Sequence, residues 1–289
     1  MKYFLLRAGG IIVCVGTLLS SRTENAKPPG PLVEPICGFT AGPHFYLESS
    51  LVRQGLRVEL LGDGSAQVGT DCLLRFSITQ QPKNVPVDKL QIEHEKFMHV
   101  IGVRDDLSEF FHIHPVRIAP GMWEARHTFA QGGKYKLWAE VKYLGTSYSF
   151  GQPWLTVAGP GRPVASVAEK ADCMEVDGCR VSFEHANKLM ARQTNRIQLV
   201  VRDGSGAPVE LEGFLGTPMH LFIVSKDATT CLHAHPESAS TAVGTVRFLQ
   251  SFPKPGTYKL FAQFRPKQKQ LPRDQALLAH FVLTVLDAQ

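Results

Sequence analysis

One segment of the chain occurs twice. In each copy a Met-His pair opens an apolar run and a His-x-His-Pro motif closes it, at 98–115 and again at 219–236. From the first histidine, the second and third follow at offsets of 13 and 15 and the proline at 16, in both copies. Agreement at so many positions indicates a tandem duplication, and it places three imidazoles per copy at fixed relative positions. The chain is therefore expected to fold as two similar units.

Length and composition agree with two folded domains. The chain has 289 residues, of which 44% are hydrophobic and 20% charged, which is typical of a globular protein and not of a disordered one. The formal net charge is only +5. No stripe of Lys and Arg alternates with aromatic residues, so nucleic acid is not an expected partner.

The N-terminus has the pattern of an export signal. Lys2 and Arg7 precede the apolar stretch Ala8–Leu19, and small and polar residues follow, which predicts a signal peptide over 1–26. Cys14 is not expected to carry a lipid anchor, because Ile-Ile-Val precedes it where a lipidation site needs a small residue. No later stretch is apolar for about 18 residues, so no membrane span is expected in the mature chain. The predicted location is periplasmic or extracellular.

Turn-forming residues divide the remaining chain. A Pro/Gly-rich linker is predicted over 27–55, a first repeat over 56–158, a second linker over 159–178 and a second repeat over 179–287. Each repeat contains about seven short runs of strand type, separated by turn signals, and no convincing amphipathic helix. This pattern predicts an all-β protein made of two tandem immunoglobulin-like antiparallel β-sandwiches.

Five cysteines lie beyond the predicted signal: Cys37, Cys72, Cys173, Cys179 and Cys231. Cys173 and Cys179 flank a short loop with a turn-forming Asp-Gly, so a local disulfide is predicted in an oxidising compartment. Pairing of the others stays open, and the odd count leaves at least one thiol free. The same two cysteines lack the two-residue spacing of common zinc sites.

Hairpin geometry brings the three histidines of each copy together. If 97–104 and 109–114 pair through a four-residue loop, His99 lies opposite His114, and His112 lies on the same face one step away. Opposed Cβ atoms are about 4.5–5.5 Å apart, within reach of one small cation. A loop over 226–229 gives the second copy the same arrangement.

Three neutral imidazoles with an open fourth position suit Cu(II) or Zn(II), and an exposed site without thiolates favours Cu(II) over Cu(I). Glu140 and Gln263 occupy matched positions in the two repeats and are expected to contact the ligating histidines. His94 is a further candidate in the first repeat only, since Leu215 occupies its place in the second. The predicted metal ligands are His99, His112, His114, His220, His233 and His235.

A structural interpretation of the same histidines stays open. Their predicted face also carries Ile101, Val103 and Phe110 in the first repeat, with Phe222, Val224 and Cys231 matching in the second. These are residues typical of a protein core. Buried histidines that bond to backbone groups or to one another would then latch the ends of the strands.

The block of Met-His, acidic turn and His-x-His-Pro, followed by Pro-Gly-Thr-Tyr-Lys-Leu-Phe-Ala, resembles bacterial exported proteins whose immunoglobulin-like modules are similar to the YtkA-like class. The resemblance covers nearly all of both repeats, with the second repeat the more typical. Modules of this kind often occur where the cell envelope handles copper or heavy metals. The resemblance therefore implies metal binding, without identifying an activity.

The sequence thus predicts an exported, non-enzymatic binding protein that takes copper or a similar divalent metal, with an envelope protein as a further possible partner. No arrangement of Ser-His-Asp, Cys-His or paired carboxylates supports catalysis beside the histidines. The alternative is a structural or adhesive β-sandwich module that recognises a protein or a glycan.

Overall fold

The structure, a computed structural model, describes residues 51–62, 66–162, 172–185, 188–237 and 242–287. Within these ranges the chain forms β-strands and no helix, so no helix there is long and apolar enough to cross a membrane. The predicted all-β class is confirmed. The predicted signal peptide, Cys14, Cys37 and most of the predicted linker 27–55 lie outside the described residues.

The first repeat is a sandwich of two antiparallel sheets. One sheet has the order β1-β2-β3-β8-β7, with β4 also paired to β3; the other has the order β10-β9-β5-β6, with β11 also paired to β9. The strands are β1 (Val52–Arg53), β2 (Leu56–Leu61), β3 (Asp71–Gln80), β4 (Val85–Pro86), β5 (Met98–Arg104), β6 (Phe110–Ile113), β7 (Val116–Ala119), β8 (Met122–Thr128), β9 (Gly133–Tyr143), β10 (Thr146–Gly151) and β11 (Leu155–Val157).

The second repeat has the same plan. Its sheets have the orders β12-β13-β15-β19 and β14-β21-β20-β17-β18, with β16 also paired to β20. Only β14 and β21 pair in parallel among these strands. The strands are β12 (Cys173–Val176), β13 (Cys179–His185), β14 (Leu189–Met190), β15 (Thr194–Asp203), β16 (Leu211–Glu212), β17 (Met219–Ser225), β18 (Cys231–Ala234), β19 (Thr245–Ser251), β20 (Gly256–Pro266) and β21 (Leu277–Leu286).

Both repeats begin earlier than the turn signals indicate. Strand β1 lies inside the predicted linker 27–55, and β12 lies inside the predicted linker 159–178. The predicted disulfide is wrong: Cys173 and Cys179 are separate thiols. Cys173 lies opposite Ser182 and Cys179 opposite Val176, so the two are offset by three positions along the hairpin. At about 3.4 Å per residue that offset is roughly 10 Å, beyond the reach of a disulfide.

The two duplicated strands, β5 and β17, are buried on both faces. Every residue of each strand is buried. In a strand with one face exposed to solvent, buried and exposed residues alternate. Strands β5 and β17 lack this alternation, so other residues must cover their outer faces as well. Met98 and Val100 of β5 belong to the core of the first sandwich, whereas Ile101 and Val103 belong to a separate apolar cluster.

That separate cluster joins the two repeats. Phe110 of the first repeat stacks on Phe261 of the second, with ring centroids 4.5 Å apart, and the Lys259 ammonium donates to the Leu107 carbonyl at 2.7 Å. The sheets that carry β5 and β17 therefore pack against each other through their outer faces. We call this contact the inter-repeat face; its buried apolar residues are Ile101, Val103, Leu107, Trp138, Phe222, Val224, Ala228, Cys231 and Phe261.

The predicted hairpin register is confirmed in both copies. Val100 pairs with Ile113 and Ile101 with His112. The same register places His99 opposite His114. In the second copy Phe222 pairs with His233. The loops are the predicted four residues long, because the Arg104 and Ser225 amides donate to the carbonyls of Glu109 and Thr230.

Gly102 leaves room for the ring of Phe111, the residue before His112. A Cβ built at Gly102 would lie 2.0 Å from Cζ of Phe111, its cross-strand partner. We predict that Gly102→Ala lowers the free energy of unfolding by about 1–3 kcal/mol, because the ring must move in a packed core. Urea unfolding is the measurement. Gly204→Ala is the control, since a Cβ there meets nothing within 4 Å; an equal loss in both variants would contradict the explanation.

Candidate metal centre

Seven imidazoles meet at one edge of the inter-repeat face. His99 of β5 and His220 of β17 are almost completely buried, and His112 and His233 come from the partner strands β6 and β18. Rings from different repeats lie close together: the His112 and His220 centroids are 5.8 Å apart, and those of His99 and His233 are 6.3 Å apart. We call the set the histidine cluster; its members are His94, His99, His112, His114, His220, His233 and His235.

Within this cluster, the three histidines predicted for the first repeat converge. His99, His112 and His114 each offer one ring nitrogen, and these nitrogens lie within 4.8 Å of one another. The ring centroids of His112 and His114 are 4.5 Å apart. Nε2 of His114 is buried without a hydrogen-bond partner, which is rare for a buried polar atom. We call these three residues the first triad.

The hydrogen bonds of the first triad leave two lone pairs facing each other. Nε2–H of His99 donates to the Glu93 carbonyl at 2.8 Å, and Nδ1–H of His112 donates to Oε1 of Gln263 at 2.9 Å. A neutral imidazole has one N–H, so with the Gln263 amide oxygen facing His112 both Nδ1 of His99 and Nε2 of His112 are unprotonated. They are 3.0 Å apart.

This short separation suits a shared cation. Metal–imidazole bonds are about 2.0–2.1 Å long, and two of them at 90–109° place their nitrogens about 2.9–3.4 Å apart. The nitrogens of His99 and His112 fall in that range. A proton between them would also relieve the contact, but burial lowers the pKa of both rings.

The second repeat gathers a different set. Within the described residues, the other group with one ligand atom each inside 4.8 Å is His94, His233 and His235, and not the predicted His220, His233 and His235. Nε2 of His94 lies 3.1 Å from Nε2 of His235. His220 stays beside this group, with Nδ1 3.1 Å from Nε2 of His233 and Nε2–H donating to the Phe214 carbonyl at 3.0 Å. We call His94, His233 and His235 the bridging triad, because His94 comes from the first repeat.

Glu140 and Gln263 contact the histidines of the opposite repeat. Gln263, on β20, accepts from His112 of the first repeat, and Glu140, on β9, lies 2.9 Å from Nδ1 of His233 of the second. The matched sequence positions identify both residues, but not this exchange. The two contacts are related by the duplication, so each repeat orients a histidine of the other.

Burial disfavours the charged form of most histidines in the cluster. Burial lowers the pKa of His94 to about 4 and those of His114 and His220 to about 3. It also lowers the pKa of His233 well below its usual value and raises that of Glu140 to about 8. The Glu140–His233 contact is therefore a hydrogen bond between neutral groups when no cation is present. These lowered pKa values favour the neutral imidazoles that metal coordination requires.

Met98, Met219 and Cys231 take no part in the histidine cluster. Met98 and Met219 point into the two sandwich cores, as their strand positions predict. Cys231 lies in the apolar part of the inter-repeat face, and burial raises its pKa well above the usual value. His94 belongs to the cluster although it has no histidine counterpart in the second repeat. In the sequence it stands out because the two repeats differ at this position, where the second repeat has Leu215.

A family model described as a domain of unknown function (DUF8832) matches the chain twice, over residues 50–158 and 174–284. The chain belongs to this family. The matched ranges agree with the earlier starts of both repeats, and they do not establish membership of the YtkA-like class. No curated protein matches the chain.

Solved structures with similar folds share little sequence with this chain. FetP of uropathogenic E. coli strain F11 is 9% identical, with a TM-score of 0.27, and the match covers 40% of this chain and 94% of FetP. Invasin, a bacterial integrin-binding protein, is 12% identical, with a TM-score of 0.24 and coverage of 80% and 39%. The D00-D0 domain of intimin is 12% identical, with a TM-score of 0.23 and coverage of 80% and 100%. At these scores the likenesses carry no functional argument.

Stability should fall on acidification of the metal-free protein. A histidine whose folded pKa is below its unfolded value of 6.5 contributes stability above pH 6.5 and loses it as pH falls toward the folded pKa. Each such histidine contributes up to about 1.4 kcal/mol per pH unit. Glu140 acts in the opposite direction, because its folded pKa exceeds its unfolded value of 4.5, but it is one group against several.

We therefore predict a lower free energy of unfolding at pH 5.5 than at pH 7.5, measured by urea titration with a chelator present. A His114→Asn variant should show a shallower pH dependence. Equal stability at the two pH values would contradict the buried neutral cluster.

Proposed function

We propose that the protein is an exported, non-enzymatic metal-binding protein that coordinates Cu(II) or Zn(II) through the first triad. The observation that carries this proposal is the convergence of one ring nitrogen each from His99, His112 and His114 within 4.8 Å of one another. Within this set, Nδ1 of His99 and Nε2 of His112 are 3.0 Å apart. Two nitrogens bound to one cation have this separation, and so do two nitrogens joined by an N–H···N hydrogen bond. The buried, unpartnered Nε2 of His114 supplies a third donor beside them.

Ligand chemistry supports a borderline metal. All donors are imidazole nitrogens, which suit Cu(II) and Zn(II) better than Ca²⁺ or Mg²⁺, whose preferred ligands are oxygens. The free thiols lie elsewhere: Cys231 is in the apolar part of the inter-repeat face, and Cys173 is on β12. A site without thiolates favours Cu(II) over Cu(I).

The partners around the triad support binding rather than turnover. The Glu93 carbonyl and the Gln263 amide hold His99 and His112 through their outer ring nitrogens, as partners of metal-ligating histidines usually do. The role that follows is storage, delivery or sensing of the cation in the cell envelope, in line with the N-terminal export pattern and the resemblance to envelope metal-handling modules.

The competing interpretation is a structural latch. A rotated Gln263 amide would donate to Nδ1 of His112, whose Nε2–H would then donate to His99 without any metal. Metal titration separates the two interpretations, because the latch has no need of a cation.

The test is isothermal titration of the untagged mature protein with Cu(II) and Zn(II) in a non-coordinating buffer. We expect tight binding that His114→Ala weakens by about 100-fold or more, since removing a ligand should cost at least as much as removing a partner of one. His280→Ala is the matched control, because this histidine lies outside the cluster, on β21. Absence of uptake by the wild-type protein would refute metal binding.

Gln263 provides a second test, from the opposite repeat. Gln263→Leu removes the acceptor for Nδ1–H of His112 without removing a ligand. We expect a loss of metal affinity of about 10-fold to 100-fold, with far-UV circular dichroism unchanged. Unaltered affinity would show that this contact does not orient the ligand.

A further inference from the structure

We propose that His94 of the first repeat completes a second metal site with His233 and His235 of the second, so that a bound divalent cation ties the two repeats together. This inference rests on the proposed use of imidazoles as metal ligands, but it concerns different residues. It assigns His94 as a ligand and leaves His220 as a neighbour.

The position of His94 depends on a tight turn. Glu93 and Lys96 exchange two backbone hydrogen bonds, at 2.9 and 3.0 Å, and enclose His94 and Glu95 at φ values of 46° and 63°. Consecutive non-glycine residues in the left-handed region are strained, and such strain gathers at functional sites.

The second repeat has the same turn with different residues. Phe214 and Thr217 close it, and it contains Leu215 and Gly216 at φ values of 52° and 77°. There glycine takes the position that Glu95 holds under strain in the first repeat. The two turns approach each other across the inter-repeat face, since a Cβ at Gly216 would lie 3.9 Å from Oε1 of Glu95. The first repeat thus presents an imidazole where the second presents an apolar side chain.

Distances place His94 among the donors of the second repeat. Its Nε2 is 3.1 Å from Nε2 of His235, again the separation of two nitrogens on one metal ion. The centroid of its ring is 5.2 Å from that of His233. One ring nitrogen from each of the three residues lies within 4.8 Å of the others.

A carboxyl group adds a second link from the first repeat. Oε2 of Glu140 lies 2.9 Å from Nδ1 of His233. A carboxyl group that contacts the outer nitrogen of a ligating imidazole orients the ring. The first triad has the neutral Gln263 amide at the matched place, so the two sites are chemically different. Glu140 is a positioning residue for the bridging triad.

The two sites also differ in access. His235 is exposed and His94 half-buried, whereas the first triad contains the buried His99 and the half-buried His112 and His114. The centroids of His94 and His99 are only 6.1 Å apart, so cations in both sites repel each other. The second cation is therefore expected to bind at least about tenfold more weakly than the first.

The experiment is calorimetric titration of the full mature chain with Cu(II), comparing wild type, His94→Leu and His114→Ala. Leucine is the natural residue at the matched position 215, and His94 lies on a turn, so His94→Leu should fold normally. We expect two Cu(II) per wild-type chain in two phases and one in each variant. Copper should also raise the melting temperature of His94→Leu less than that of wild type. His280→Leu is the control and should bind two.

The outcomes separate the two proposals. If wild type binds copper and His94→Leu binds it with unchanged stoichiometry and affinity, the bridging site is refuted while the first triad stands. If only His94→Leu loses copper and His114→Ala retains it, the bridging site is supported and the first triad is refuted. If wild type binds no copper, both proposals fail. Far-UV circular dichroism of each variant confirms that any loss is not unfolding.

Discussion

The contact between the outer faces of two duplicated sheets determines most of what is distinctive in this protein. Each sandwich has its own core, and the sheets that carry β5 and β17 could have presented half-polar outer faces to solvent. They present Ile101, Val103, Phe222 and Val224 instead, and each buries the apolar residues of the other. Burial of apolar surface favours this association. The same burial removes water from the histidines at its edge and keeps them neutral.

Neutrality gives the histidine cluster its chemistry. A protonated imidazole cannot bind a metal, and an exposed histidine is partly protonated near pH 6.5. Here partial burial lowers the pKa of His114 to about 3 and that of His94 to about 4. Burial also means that the ring nitrogens of these histidines need hydrogen-bond partners within the protein. The Glu93 and Phe214 carbonyls accept from the outer nitrogens of His99 and His220. The inner nitrogen of His99 faces His112, and that of His220 faces His233.

The duplication is close to symmetric, and its departures carry the specific information. His112 contacts Gln263 and His233 contacts Glu140, so the same crossing contact is made once with an amide and once with a carboxyl group. His94 has no histidine counterpart, because its matched position is Leu215. The two groups of histidines are therefore unequal at the face that the repeats share.

The sequence by itself determined the repeat, the all-β class and the hairpin register, because strand periodicity and four-residue loops are local properties of the chain. It also identified Glu140 and Gln263 by their matched positions. Only the tertiary structure decided that the apolar residues beside the histidines cover the opposite repeat and that Glu140 and Gln263 exchange partners. It also decided that His94, and not His220, has a ring nitrogen within 4.8 Å of nitrogens of both His233 and His235. Alternation along a strand tells which residues share a face, but both faces of β5 and β17 are apolar. Which one lies inside the sandwich and which meets the other repeat depends on contacts between residues more than 100 positions apart in sequence, such as His112 and Gln263.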